Sequence, residues 1–291
     1  YPDKATILQV DNDPTHLGQR HPVALGLLGD IGPTLDALLP RLTPRDKSHH
    51  YDQSVALHRK VITAHTTKAE EPGPNDSIPG KYAAGLINKK AAEDALIVAD
   101  DGTVGVWMLR HMPANGKRRT FASLLHGTMA GGMTSALGLQ KAQPDRQVIA
   151  LCGDGGFAML LGDLLTTVQE NLPIKIAVFD NAKLGFVEIE QKTEGMVNLY
   201  TDLKNPDFGE VAKAMGLWGQ MVDHASVLEA AVDRWLAEPG PALLHIKVEP
   251  LELVMPPFTE IEPAIGMALY ATRAIMQGKG SDVLDMIKQN L

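Results

Sequence analysis

Two short runs decide the fold: QVIALCGDGGF at residues 147–157 and IKIAVFDN at residues 174–181. In each, a strand-like apolar run ends in a polar tip. Gln147–Leu151 leads into Gly153-Asp154-Gly155-Gly156, and Ile174–Phe179 leads into Asp180-Asn181. The segment between them, Phe157–Glu170, has helical character, so the unit reads strand–helix–strand. A carboxylate then stands at the carboxyl end of one strand and a carboxamide at the end of the next, the edge where doubly wound parallel sheets bind ligands. Glycines after Asp154 allow close backbone approach, and the helix that follows offers free N–H groups to an anion. Asp154 and Asn181 supply hard oxygen atoms suited to Mg²⁺. The residues alone point to a diphosphate site bridged by a divalent ion.

The rest of the chain agrees with an α/β domain. Further strands are expected at Thr6–Asp11, Ala95–Ala99, Thr120–Leu124, Trp218–Val222 and Ala242–Val248. Helices are expected at Asp30–Leu42, Asp52–Thr66, Tyr82–Lys90, Met129–Gln140, Asp207–Met215, Ser226–Ala237, Glu262–Gln277 and Ser281–Leu291. Strands alternating with helices imply a parallel sheet covered on both faces. Asp207 with Glu210 and Ser226 with Glu229 have the spacing of capping boxes. Pro256-Pro257 is expected to end the domain, and Val283, Leu284, Ile287 and Leu291 fall on one face of the last helix.

Composition narrows the function. The chain has 291 residues, 44% of them hydrophobic, and a formal net charge of −8. An acidic chain is a poor match for nucleic acid, which calls for basic surface. Lys117-Arg118-Arg119 is the basic cluster in mid-chain and is expected in a solvated loop. The single cysteine, Cys152, closes a strand and suits a reducing compartment. No apolar run of membrane-spanning length is present, and no secretory leader is expected. The start at Tyr1, without methionine, reads as cut. His49, His50, His58 and His65 have no acidic or cysteine partners at metal spacing and are expected to be solvated.

The spacing adds a family. Twenty-five residues, 156–180, separate Gly155 from Asn181. This resembles the thiamine diphosphate (ThDP) signature, in which GDG precedes by about two dozen residues a pair ending in Asn. The usual pair is Asn-Asn; here it is Asp180-Asn181, and the metal-binding second position is kept. The resemblance implies Mg²⁺ held by Asp154, Asn181 and the backbone carbonyl of Lys183. It also implies cofactor contacts from Gly153, Gly155 and Gly156, from Gly102-Thr103, and from His126-Gly127-Thr128-Met129. There Met129 would wedge between the two rings of ThDP and the Gly127 carbonyl would accept from its amine.

Lys183–Glu190 (KLGFVEIE) is similar to pyruvate oxidases. That similarity implies that Phe186 lies near the path from ThDP to flavin and Glu190 near the substrate. Asp11-Asn12-Asp13-Pro14 and Gly29-Asp30-Ile31 resemble the end of the central domain of those enzymes, implying that Asp11 and Asp30 meet the adenosine end of FAD. Leu269-Tyr270, Arg273-Ala274-Ile275 and Gly278-Lys279-Gly280 resemble the tail of quinone-dependent pyruvate dehydrogenases. The tail is expected either to bind lipid reversibly or to dock on its own subunit.

The implied organisation is 1–43 as the end of a FAD-associated, Rossmann-like domain, 44–77 as linker, 78–255 as the ThDP diphosphate and Mg²⁺ domain, and 256–291 as a helical tail. The implied reaction is oxidative decarboxylation of pyruvate to acetate and carbon dioxide, with electrons passed through FAD to a quinone. Such a protein is expected in the cytoplasm or peripherally on the inner face of the cell membrane. The activating glutamate of the family has no match in this sequence. A homo-oligomer, dimer or tetramer, is expected to supply it from a pyrimidine-binding domain, and this chain alone is expected to turn over little or nothing. Open alternatives are acetolactate synthase or another ThDP-dependent 2-oxo acid decarboxylase, an inactive cofactor-binding or assembly fragment, and a nucleotide-binding domain of unrelated chemistry.

Overall fold

The computed structural model describes residues 4–44, 48–197, 199–250, 252 and 261–290. Pro256-Pro257 and Leu291 lie outside the described residues. By internal packing the chain divides into two compact units, Tyr1–Leu57 and His58–Leu291. In the first, β1 (Leu8–Asp11) and β2 (Leu25–Leu28) run parallel, with Leu8 opposite Leu25. Helix α1 (Ile31–Leu38) follows. The helix expected over 30–42 stops at Leu38, and a 3₁₀ turn, Leu39–Arg41, replaces its end. Pro40 in that turn cannot donate to the preceding carbonyls. Helix α2 (His49–Lys68) occupies much of the expected linker and crosses the division between the units.

The second unit carries a six-stranded parallel sheet. In chain order its elements are α3 (Gly80–Lys90), β3 (Leu96–Ala99), α4 (Thr103–His111), β4 (Arg119–Ala122), α5 (Gly131–Ala142), β5 (Val148–Gly153), α6 (Asp154–Met159) and α7 (Leu164–Gln169). Then come β6 (Lys175–Asp180), α8 (Gly185–Thr193), α9 (Phe208–Ala214), β7 (Trp218–Val222), α10 (Ala225–Ala237) and β8 (Ala242–Lys247). The strand order is β4-β3-β5-β6-β8-β7. The fold is thus α/β with a doubly wound parallel sheet. Strands β3, β5, β6 and β8 are buried almost throughout, which is why they read as unbroken apolar runs rather than alternating ones.

The period-2 alternation of strand side chains divides the core into two layers. Ile97, Ile149, Leu151, Phe179 and Leu244 face Trp107 of α4 and Leu228 and Trp235 of α10. Leu96, Val98, Ala150, Val178 and Leu243 face Met133 of α5, Phe157 of α6 and Phe208 of α9. The chain passes from β3 to β4 on one side and from β5 to β6 on the other. The crevice between the tips of β3 and β5 is therefore the topological switch point.

Three local expectations change. The helix expected over 157–170 is broken. Leu160 leaves the helical region (φ −122°, ψ 33°), and a 3₁₀ turn over Leu161–Asp163 precedes α7. Gly162 in that turn is a poor helix former. Ser226 does not cap α10; the helix begins one residue earlier, with His224 as N-cap. Asp76 supplies the acceptor instead, taking Ser226 N–H at 2.8 Å and Ser226 Oγ at 2.6 Å. A carboxylate answers a helix N-terminus better than a hydroxyl does. Arg118 is half-buried rather than solvated, because its guanidinium reaches Asn88 and the carbonyls of Ala91 and Ala92 at the end of α3.

The tail forms α11 (Ile261–Met276) and α12 (Gly280–Asn290). Helix α11 lies against α8 so closely that a Cβ on Gly266 would fall 1.5 Å from the Thr193 carbonyl oxygen. Tyr270 and Ala274 bury Val283 and Met286 of α12. The face of α12 turned inward is therefore 283/286, while Leu284 and Ile287 are exposed. No helix among the described residues is long and apolar enough to cross a membrane.

Candidate functional site

Strands β5 and β6 pair in register, Gly153 opposite Phe179, so the residues beyond each tip meet at one edge. A cavity of about 240 Å³ opens there. It is lined by Gly102 and Thr103 after β3, by Gly127 and Met129 before α5, and by Gly153, Asp154, Gly155 and Gly156 after β5. Asn181 and Lys183 after β6, and Phe186 and Glu190 on α8, complete the wall. Twelve of the residues read from the sequence thus share one cavity. His126 and Thr128 are not among its lining residues: His126 is exposed, and Thr128 Oγ1 is 2.9 Å from Ser123 Oγ. Asp11 and Asp30 belong to the first unit. They stand at the carboxyl ends of β1 and β2, where Asn12 Nδ2 donates to Asp30 at 3.1 Å.

Gly155 and Gly156 are there for space. A Cβ on Gly156 would lie 2.5 Å from Asp100 Oδ2 and 2.9 Å from Ala130 N; one on Gly155 would lie 2.9 Å from the Leu184 side chain and 3.5 Å from that of Met129. Gly102 has φ +140°, a conformation open to few other residues. It is the residue from which α4 starts.

Helices α4, α6 and α8 all point their first turns at the cavity. None has a side-chain cap. Only Asp154 answers within α6, its Oδ1 taking Gly155 N at 2.9 Å. Three helix starts with unclaimed N–H groups form an anion site. The oxygens of Asp154 and Asn181 stand beside it. Asp154 is 3% exposed and Asn181 9%. Asn181 Oδ1 accepts Lys183 N at 3.0 Å, which folds residues 181–183 into a tight turn with Ala182 at φ +56°. Leu184 N donates to Thr201 O and Leu203 N to Ala182 O. Lys183 and Asp202 thereby form a non-hydrogen-bonded pair, and the Lys183 carbonyl takes no backbone bond among the described residues. A side-chain carboxylate, a side-chain amide and a free carbonyl fit a hard divalent cation.

Electrostatics sharpen the site. Burial, with the neighbouring Asp180 carboxylate, pushes Asp154 up to about 7. An apposed cation would reverse that. Burial also opposes ionisation of Asp180, but His245, Lys247 and Asn205 outweigh it and hold that carboxyl well below the usual range. The Lys183 ammonium is set by Glu188 at 2.9 Å and Asp202 at 2.8 Å. Glu188, 4% exposed, is also met by Lys192 at 2.6 Å, which lies over the Tyr270 ring of α11. The 181–183 turn, α8 and the tail are joined by this charge chain.

Sequence reasoning gave no role to Asp100, Glu188, Lys192, Asn205 or His245. Asp100, 1% exposed, accepts Gly132 N at 2.6 Å and Gly153 N at 3.2 Å, tying α5 and β5 to the end of β3. The i, i+4 spacing of Glu188 and Lys192 was the legible signal for that pair.

Residues 100–246 match the family described as thiamine pyrophosphate enzyme, C-terminal TPP binding domain. The chain is 32% identical over 247 residues to the protein YdaP of Bacillus subtilis, covering 85% of this chain and 43% of that one. It is 31% identical to the large subunit of acetolactate synthase isozyme 2 of Escherichia coli, covering 87% and 45%. It is 31% identical to pyruvate oxidase of Lactiplantibacillus plantarum, covering 70% and 34%. The chain spans less than half the length of these relatives. Among solved structures, a thiamine diphosphate-dependent 4-hydroxybenzoylformate decarboxylase of Rhodococcus jostii superposes with a TM-score of 0.69 at 22% identity, over 85% of this chain and 45% of that one. At that identity the likeness is one of fold.

Proposed function

The chain belongs to the thiamine pyrophosphate enzymes, through their C-terminal TPP binding domain, and from that premise we propose that it holds the diphosphate and Mg²⁺ of ThDP in an oxidative decarboxylase of pyruvate. The observation that carries this reading is the convergence of three uncapped helix starts on the oxygens of Asp154, Asn181 and Lys183. In this reading Gly155 and Gly156 admit the diphosphate, while those three residues hold the ion. Met129, against Gly155, supports the bend of the cofactor, and the Gly127 carbonyl receives its amine. When bound, the cofactor supplies the nucleophile and the electron sink; the protein supplies position and field.

Substrate and acceptor are finer points of the same proposal. Phe186 and Glu190 stand one helical turn apart on α8 and both line the cavity. Glu190 is exposed toward it, suited to meeting pyruvate, and Phe186 to bordering the route toward flavin. FAD would touch this chain only at Asp11 and Asp30. A quinone would accept the electrons, and a second copy would supply the pyrimidine-binding domain with its activating glutamate. Leu284 and Ile287, exposed on α12, would give weak, reversible lipid contact. Co-sedimentation with anionic vesicles tests the last point; no pelleting above the level of a chain lacking 280–291 counts against it.

The deciding experiment is product analysis with pyruvate, ThDP, Mg²⁺, FAD and a quinone, on the full-length protein. Acetate supports the oxidase reading. Acetolactate would transfer the assignment to the second reading, which the 31% identity to an acetolactate synthase over 87% of this chain favours. Acetaldehyde would make it a non-oxidative decarboxylase. For this chain alone, isothermal titration with ThDP and Mg²⁺ is expected to show weak binding and no turnover; tight binding with decarboxylation would overturn the need for a second domain.

A further inference from the structure

The tips of β5 and β6 present two adjacent carboxylates, Asp154 and Asp180, and the site needs one of them. Both are buried. Asp180 is saturated. Its Oδ1 takes Ala182 N at 2.8 Å and Asn205 Nδ2 at 2.8 Å; its Oδ2 takes His245 Nε2 at 2.8 Å and Lys247 Nζ at 2.5 Å. Phe208 N–H donates to His245 Nδ1 at 3.2 Å, so the ring proton stands on Nε2 and is given to Asp180. Asp154 carries one bond on each oxygen: Gly155 N on Oδ1 and Asn205 Nδ2 on Oδ2 at 2.7 Å.

Asn205 therefore spends both amide hydrogens at once, one on each acid. Its own position is fixed from either side. Upstream, Leu203 N is bonded to Ala182 O at 2.7 Å, pinning the segment to the 181–183 turn. Downstream, Asp207 caps α9 through Gly209 N and Glu210 N, and Phe208 packs edge-on against Phe157 and His245. An amide held this firmly between two neighbouring carboxyl groups does two things. It holds the two acids at a fixed separation, and it turns Asp154 so that each of its oxygens keeps room for another partner.

We propose that Asn205 is a positioning residue for the divalent ion: it orients Asp154 as the ligand and keeps Asp180 out of the coordination. The inference rests on the reading of Asp154 and Asn181 as ion-holding residues and deepens it. Groups that orient a metal-ligating carboxylate typically matter by ~10–100-fold in metal affinity.

The test uses the full-length protein, with Mn²⁺ as a paramagnetic substitute for Mg²⁺, titrated into the millimolar range at saturating ThDP. Bound and free Mn²⁺ are read by electron paramagnetic resonance. Asn205→Ala is expected to weaken Mn²⁺ binding ~10–100-fold. Asn205→Ser, whose single hydroxyl hydrogen can serve one acid only, is expected to fall between the two, and it serves alone if the alanine variant does not fold. Melting curves recorded without metal separate the roles: a merely structural Asn205 would lower the melting temperature and leave the Mn²⁺ constant unchanged. An unchanged or tighter constant in the variants overturns the role of Asn205. A wild-type protein that takes up no Mn²⁺ with ThDP overturns the metal site itself, and this proposal with it.

Discussion

Five helices leave the carboxyl edge of the same parallel sheet, and they begin in two different ways. The outer two start against a carboxylate of the protein. Helix α5, after β4, gives Gly132 N to Asp100, and α10, after β7, gives Ser226 N to Asp76. The inner three, α4, α6 and α8, follow the adjacent strands β3, β5 and β6 and have no side-chain cap. Elsewhere in the unit, α3 gives Gly80 N to Glu252 and α9 is capped by Asp207. The sequence could have placed Ser, Asp or Asn before α4, α6 and α8 as readily. Glycine precedes two of them and leucine the third. Among the described residues, the helix starts gathered around this cavity lack a side-chain cap, Asp154 alone answering at Gly155 N of α6, whereas α3, α5, α9 and α10 each meet a carboxylate; starts of the first kind are complementary to an anion brought from outside.

The largest expected effect follows from removing the ion that couples such an anion to the inner helices. In the full-length protein, Asp154→Ala is expected to weaken binding of ThDP with Mg²⁺ by at least ~1000-fold, ~4 kcal/mol, in isothermal titration, with circular dichroism unchanged. The loss should exceed that of Asn205→Ala, since a ligand is removed rather than its support. If Asp154→Ala binds as the wild type does, the inner helix starts are not a diphosphate site.

The next effect belongs to an outer helix. Asp100 is buried, and burial pushes its carboxyl from 3.8 up to about 6, against the pull of the Gly132 and Gly153 N–H groups and with a further push from Asp101. Between those two values the folded protein keeps a proton that the unfolded chain releases. Stability therefore falls as pH rises through that window and levels off above it, by ~3 kcal/mol at most. Urea unfolding at about pH 4 and about pH 7, compared between wild type and Asp100→Asn, isolates the contribution. The wild type is expected to lose stability relative to the variant as pH rises. Parallel pH profiles would show that Asp100 stays ionised and that the cap of α5 is an ordinary carboxylate.

What the sequence made legible, and what it hid, follows the range of the interactions. Strands β3, β5, β6 and β8 were readable because strands buried on both faces are continuously apolar. The tips Asp154 and Asn181 were readable because a parallel sheet brings successive strand ends to one edge. The break in the helix after Phe157 was not, because Leu160 is a good helix former whose conformation is set by its surroundings. Asn205 was illegible because its partners lie 51 and 25 residues away. The start of α10 was misread for the same reason: Ser226 and Glu229 have capping spacing, yet the acceptor comes from Asp76, 150 residues earlier. Glu229 pairs instead with Lys90 at 2.9 Å. Local signals sufficed for what an element is, and failed for what completes its ends.

That misreading supplies the smallest of the expected effects. Asp76 is exposed, and its bonds to Ser226 hold its carboxyl below the usual value. Its ionised form is therefore the stabilising one, present at neutral pH and lost as pH falls below the ordinary aspartate range. Asp76→Ala removes the acceptor of Ser226 N and Oγ and leaves the start of α10 to water. Loss of a cap in a unit of this size is expected to lower the melting temperature by roughly 2–4 °C. Because α10 is an outer helix, the same variant should bind Mg²⁺-ThDP with the wild-type constant, and added Mg²⁺-pyrophosphate should raise its melting temperature by the wild-type increment. Differential scanning calorimetry with and without Mg²⁺-pyrophosphate reads both. An increment that shrinks in Asp76→Ala would mean that the cap of an outer helix also shapes the inner cavity, and that the two kinds of helix start are not independent.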